Sequence, residues 1–309
     1  MKTKGLLLKN FIRNFLFQPF AFAMIISSPS ILFGQEKTEE KNPASTSIHY
    51  QATTVSQWAG NFNSPYVGSQ SFLPQQNGMT ISATYFYAHK LSKNTEFVVN
   101  PEMAGGAGLS GVYGIGSFTN AEAMRTGQKA PFVYVARAFV KHNFPLSSEM
   151  VWQDDAANTV AGYIPKERLS LIVGKFALTD YFDGNSISHD GRTQFFNWSI
   201  GTQGAYDFAA DNKAYTQGIL AEVVKEKWKL RYAITQLSLV PNGLEFNYNV
   251  TQAFHQVIEL EKPISIVAGR PGVIRALFYA TANKYGVFTE AMTEGIAKPF
   301  DSLRNNVHF

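Results

Sequence analysis

From Ile48 to Asn283 the chain alternates apolar and polar residues with a period of two, over and over, and this constrains the fold more than any motif does. Nine stretches carry the pattern: 47–57, 79–88, 95–103, 132–141, 169–174, 217–224, 229–235, 254–261 and 273–283. In 79–88, Met79, Ile81, Ala83, Tyr85 and Tyr87 share one face, opposite Thr80, Ser82 and Thr84. In 132–141 the spacing puts Phe132, Tyr134, Ala136, Ala138 and Val140 opposite Arg137 and Lys141. The reading is an all-β, antiparallel fold. Alternation by itself fits a sandwich with one wet face per sheet as well as a transmembrane barrel. Two features favour the barrel. The polar face carries full charges, with Glu96, Glu102, Arg137, Lys141, Glu222, Arg231, Glu259 and Arg275 expected to line a wet lumen. Connection lengths also alternate, with short links near 89–94, 225–228 and 262–272 and long ones at 58–78, 104–131, 175–216 and 236–253. Short inner turns and long outer loops give that rhythm. The link 142–168 breaks it and reads as an insertion.

Residues 1–34 read as an export signal. Lys2, Lys4, Lys9 and Arg13 form a basic start, Phe15–Ile26 is apolar, and the Gly34–Gln35 junction suits cleavage. These four cations equal the formal net charge of +4, so without them the chain is neutral and a nucleic-acid partner loses its support. Residues 35–45 read as a polar leader. No apolar stretch of transmembrane-helix length follows, which leaves strands as the way to cross a membrane. The absence of Cys excludes disulfides and thiolate metal sites.

Other motifs are weaker than they look. Gly106, Gly108 and Gly111 match a dinucleotide fingerprint, but Gly114 and Gly116 follow where a helix should begin. Asp183, Asn185 and Asp190 lack the spacing of a calcium loop. The six His have no paired zinc spacing, and no catalytic triad stands out. The expectation is no enzyme, no cofactor and no metal.

Several ordered motifs resemble the carbohydrate-selective porins (OprB-like) of Gram-negative outer membranes. Asn100-Pro101-Glu102-Met103-Ala104-Gly105-Gly106 is similar to the family's strand end before a Gly-rich loop. Gly174-Lys175-Phe176 with Leu178, Asp180, Phe182, Asp183 and Asn185 resembles its central signature. Asp190, Arg192, Thr193, Gln194, Phe195, Asn197 and Trp198 continue it. Tyr206, Asp207, Ala209, Asp211 and Tyr215, then Gly269–Gly272, extend the likeness over residues 46 to about 285. The resemblance implies a sixteen-stranded outer-membrane barrel, placed by the assembly machinery among outer-membrane lipid, for passive diffusion of mono- or oligosaccharides. Nine strands at 46–283 and an irregular or helical tail at 284–309 are fewer than that, so the expectation is an incomplete barrel from a truncated copy. The alternatives are a soluble exported β-protein that binds or cleaves glycans, or a non-functional fragment. The oligomeric state is left open. A sugar channel needs a narrow point, groups that replace water around hydroxyls, and aromatic faces. The 175–213 loop offers Phe176, Asp180, Tyr181, Asp183, Asn185, Asp190, Arg192, Gln194 and Trp198 as that constriction; turn chemistry is the plainer role for part of this set.

Overall fold

Nine long strands take up the alternating stretches in a computed structural model that describes residues 41–68, 71–123, 129–195, 197–239, 243–267, 269–285 and 304–308. The export signal at 1–34, residues 35–40 of the leader and residues 286–303 of the tail lie outside the described residues. The strands are β1 (Thr46–Ala59), β2 (Gln76–Ser92), β3 (Thr95–Ala107), β4 (Phe132–Pro145), β5 (Met150–Gln153), β6 (Gly162–Pro165), β7 (Arg168–Phe176), β8 (Thr216–Lys225), β9 (Trp228–Gln236), β10 (Phe254–Val267), β11 (Arg270–Tyr285) and β12 (Arg304–His308). Among the described residues β5 and β6 pair only with each other, and the other ten strands form one sheet in chain order. Neighbouring strands in it run antiparallel, from the β1–β2 pair to the β11–β12 pair. Among the described residues nothing pairs β1 with the last strand, so the sheet is an unclosed barrel wall. No described helix is long and apolar enough to cross a membrane.

β12 continues the sheet beyond the nine alternating stretches. Residues 304–308 pair antiparallel with residues 281–285 at the end of β11. Pairing with the backbone edge of β11 requires no side-chain alternation.

The two faces of the sheet differ in the opposite sense to a soluble sheet. One face is bare and apolar: Tyr50, Met79, Val133, Ile219, Ile258 and Phe278 are all exposed there. The other is covered by the chain's own loops and holds buried Thr84, Glu96, Asn100, Glu102, His255 and Glu259. We call these the outer and inner faces.

One strand departs from the expected facing. Opposite β3, Asn100 pairs with Arg137 but Pro101 pairs with Val135, so Ala136 is an extra residue. Pro101 has no N–H to give the ladder, and a bulge is where a strand tolerates that. The bulge brings Phe132 and Tyr134 onto the inner face with Arg137 and Lys141. Val133 and Val135 face outward in their place.

The inner face is not wholly polar. At mid-height Ala88 pairs with Val98, Val98 with Phe139, Ile172 with Leu220, Leu220 with Ala233, Ala233 with Val257, and Val257 with Tyr279. This apolar girdle must be covered to leave water, and two insertions cover it. Leu178, Phe182, Tyr206 and Ala209 come from the loop between β7 and β8, and Val160 from the β5–β6 insertion at the short-turn end. Burial of these side chains, at about 1.5–3 kcal/mol for each large one, draws both insertions inward.

Candidate functional site

The long loop 177–215 is held to the inner face at three polar points. The Arg137 guanidinium makes two hydrogen bonds to the Asp180 carboxylate, both 2.6 Å. The backbone N–H of Asp183 donates to Glu259 Oε2 at 2.7 Å. Arg192 reaches furthest: its Nη1 lies 2.9 Å from Glu102 and its Nε 2.9 Å from Glu122. The Glu102 carboxylate, with no exposed surface, also accepts from the hydroxyls of Thr84 and Tyr134. Buried carboxylate oxygens need hydrogen-bond partners, and these groups supply them. Nearer the foot of the loop, Tyr206 packs its ring against His255 and Tyr279, and burial pushes its hydroxyl far above the usual phenol range.

From the other end, the β5–β6 insertion crosses the inner face of the first three strands. Asn100 Nδ2 donates to Asn158 Oδ1 at 2.7 Å, and Lys90 Nζ to the Ala161 carbonyl at 2.9 Å. His49 Nε2 sits 2.9 Å from Asp155 Oδ2. The leader's last residues join in, as the Ala44 N–H donates to the Ala161 carbonyl at 3.1 Å.

Between the two insertions lies a polar cavity of about 450 Å³. His49 and Gln51 of β1, Arg137 of β4, Asn158 of the insertion, and Asp180, Asp190 and Arg192 of the loop line it. It presents carboxylates, guanidinium, amides and imidazole close together, a set that can exchange hydrogen bonds with a polyhydroxylated solute in place of water.

The nine expected constriction residues divide. Asp180, Asp190 and Arg192 line the cavity. Asp183 Oδ2 accepts from the Gln203 N–H at 2.6 Å, and Asn185 Oδ1 accepts from the N–H groups of Ile187 and Ser188. Gln194 Oε1 closes a turn by accepting from the N–H groups of His189 and Asp190. Phe176 is fully buried with the Tyr181 ring edge-on at 5.9 Å, and Trp198 packs against Phe208 at 6.3 Å. These six shape the loop instead of facing the cavity.

The expected lining residues lie on the inner face. Glu96 and Lys141 sit opposite each other across β3 and β4. Arg231 bridges Glu222 at 2.7 Å, Glu259 at 2.9 Å and Glu261 at 3.2 Å, and Arg275 reaches Glu261 at 3.0 Å. Both charge signs are therefore paired along the wall. The glycine fingerprint has a local explanation: Gly106 has φ +115 at the end of β3, where a Cβ would lie 2.1 Å from the Met79 carbonyl.

Sequence reasoning missed His49, Gln51 and Asn158. The first two share the inward set Ser47, His49, Gln51 and Thr53 of β1, which the weak alternation there does contain. Asn158 has no such signal, because its place depends on how the insertion folds back.

Comparison with known proteins agrees with this architecture. The family model for carbohydrate-selective porins of the OprB family matches residues 74–306. A high-pH structure of Pseudomonas putida OprB superimposes with a TM-score of 0.52 at 13% identity, covering 85% of this chain and 58% of that one. That likeness shows the shared fold, and the present chain spans 58% of the length of that protein. No curated protein sequence matches the chain. With residues 74–306 matched by that family model, the chain belongs to the OprB carbohydrate-selective porins.

Proposed function

We propose that this protein passes mono- or oligosaccharides by passive diffusion across the outer membrane, to which an N-terminal signal directs it, and that the cavity between the two insertions is the point where sugars are felt. No reaction and no cofactor is involved in this reading. The observation that carries it is the cavity's lining, in which Arg137 and Asp180 hold each other in a fixed fork beside Gln51 and Asn158. A neutral solute favours paired charges over a single sign. Conduction further requires a partner for the free edge of β1, since unpaired backbone groups in lipid cost several kcal/mol each.

The test separates contact from flux. Saturation-transfer NMR of glucose and maltose with the detergent-folded chain is expected to show sugar contact. Asp180→Asn, which loosens the Arg137 fork, should reduce it by half or more. Sugars that make no contact, or a contact indifferent to Asp180→Asn, would refute the cavity's role. Proteoliposome swelling in isotonic glucose reads diffusion itself. Contact without swelling would make the protein a binding module and not a channel.

A further inference from the structure

The β5–β6 hairpin has a second side that the cavity does not use. Gly162 and Ile164 are buried on the side toward the wall, where Gly162 abuts Lys90 of β2. Successive residues of a strand point to opposite sides, so Tyr163 between them points away from the wall, and it is 46% exposed. Trp152 is its direct partner on β5, and the two rings meet edge-on at 5.2 Å. The pair therefore faces the lumen on the short-turn side of the cavity. The indole is held in place, because Trp152 Nε1 donates to Asp154 Oδ1 at 2.7 Å. Asp154 is itself exposed, which leaves its other oxygen open to a ligand. Lys41 Nζ stands 5.9 Å from the indole centroid. The same insertion runs on into the cavity: Ala157 and Asn158 line it, and Asp155 pairs with His49, which lines it too. Trp152 and Ala157 are at most about 17 Å of extended chain apart.

A cross-strand aromatic pair steadies a hairpin wherever it stands. That role alone needs neither an exposed tyrosine nor polar groups at the rim of the rings. An acidic solute would be repelled by Asp154 and Asp155, and an apolar one would leave Asp154 without its water. A neutral pyranose satisfies both parts of the surface. Its C–H face lies on an aromatic ring, while its hydroxyls donate to the carboxylate and accept from the ammonium. Resting on the sugar-passage reading above, we propose that Trp152 and Tyr163 form a second sugar subsite. It takes one neutral pyranose unit of an oligosaccharide on the short-turn side of the cavity, with Asp154 as the hydroxyl acceptor.

The test uses the full chain folded in mild detergent, with saturation-transfer NMR of maltotriose. Tyr163→Leu keeps apolar bulk on the hairpin but removes the ring, and should lower the sugar signal by about threefold or more. A signal that Tyr163→Leu leaves unchanged overturns the subsite, even where Asp180→Asn lowers it and the cavity stands. A signal lowered by Tyr163→Leu and indifferent to Asp180→Asn supports the subsite and refutes the cavity. Trigalacturonate, an acidic control, should make no contact that depends on Tyr163; one that does overturns the assignment to a neutral sugar. Should Tyr163→Leu expose the hairpin to protease, the parent chain labelled with fluorotryptophan decides the matter. Its Trp152 resonance, identified by its loss in Trp152→Phe, should move on addition of maltotriose while those of Trp58 and Trp228 stay in place. A Trp152 resonance that does not respond rejects the subsite.

Discussion

A carboxylate without exposed surface persists only where cations and hydroxyls surround it, and Glu102 is such a group. Arg192 supplies the cation for Glu102 and Glu122 together from the tip of a loop that begins at the other end of the cavity. Removing one partner of a buried pair costs about 3–5 kcal/mol, because the remaining charges stay buried. Arg192→Leu is therefore expected to free the loop 177–215 without dissolving the sheet. Limited proteolysis should find new cuts between 185 and 205 while the far-ultraviolet β signal holds; a loop as protected as in the parent would show that the guanidinium is not its latch. Arg192 stood out in the sequence as a polar residue among aromatics. Glu102 stood out too, as a lumen residue, but nothing local couples it or Glu122 to Arg192, since they lie 90 and 70 residues away. Asn185 illustrates the converse: it follows Asp183-Gly184 as turn residues do, and a turn is what it builds.

At the scale of elements, period-two patterning was sufficient to locate the long strands, since a half-covered sheet writes its two faces directly into the chain. It could not foresee the bulge at Ala136, where one extra residue reverses the facing of Phe132 and Tyr134. The insertion between β4 and β7 was visible only as a connection of the wrong length. Its fold follows from one apolar anchor, because Val160 is fully buried in the inner core beside the girdle. A charge there would lie in apolar surroundings with no partner built for it. Val160→Asp is expected to undock the β5–β6 hairpin, exposing 150–165 to protease and opening the cavity from the short-turn side. Sugar contact measured by NMR should then weaken, as Asn158 leaves the lining. A hairpin that stays protected would mean that the bonds of Asn158 and Ala161 hold it without Val160.

The whole molecule is ordered by an inversion of polarity. A soluble sandwich would press together the face that carries Tyr50, Met79, Val133 and Phe278, yet here that face is bare. The charged face is instead the one filled by the chain's own loops, with Arg231 alone bridging three carboxylates. The alternation in the sequence shows that two faces exist, but not which of them meets the surroundings. That depends on the two insertions choosing the apolar girdle of the inner face. Ile258 tests the assignment because it lies near the middle of β10, exposed on the outer face between Tyr232 and Phe278. If this face meets lipid, Ile258→Arg should lower folding stability in vesicles by about 2–4 kcal/mol, the cost of a cation near the bilayer midplane. Urea titrations of chain refolded into vesicles measure that difference. On a water-facing sheet the same arginine would be neutral or would improve solubility, so unchanged stability in a chain that stays monodisperse without detergent would reject the membrane assignment.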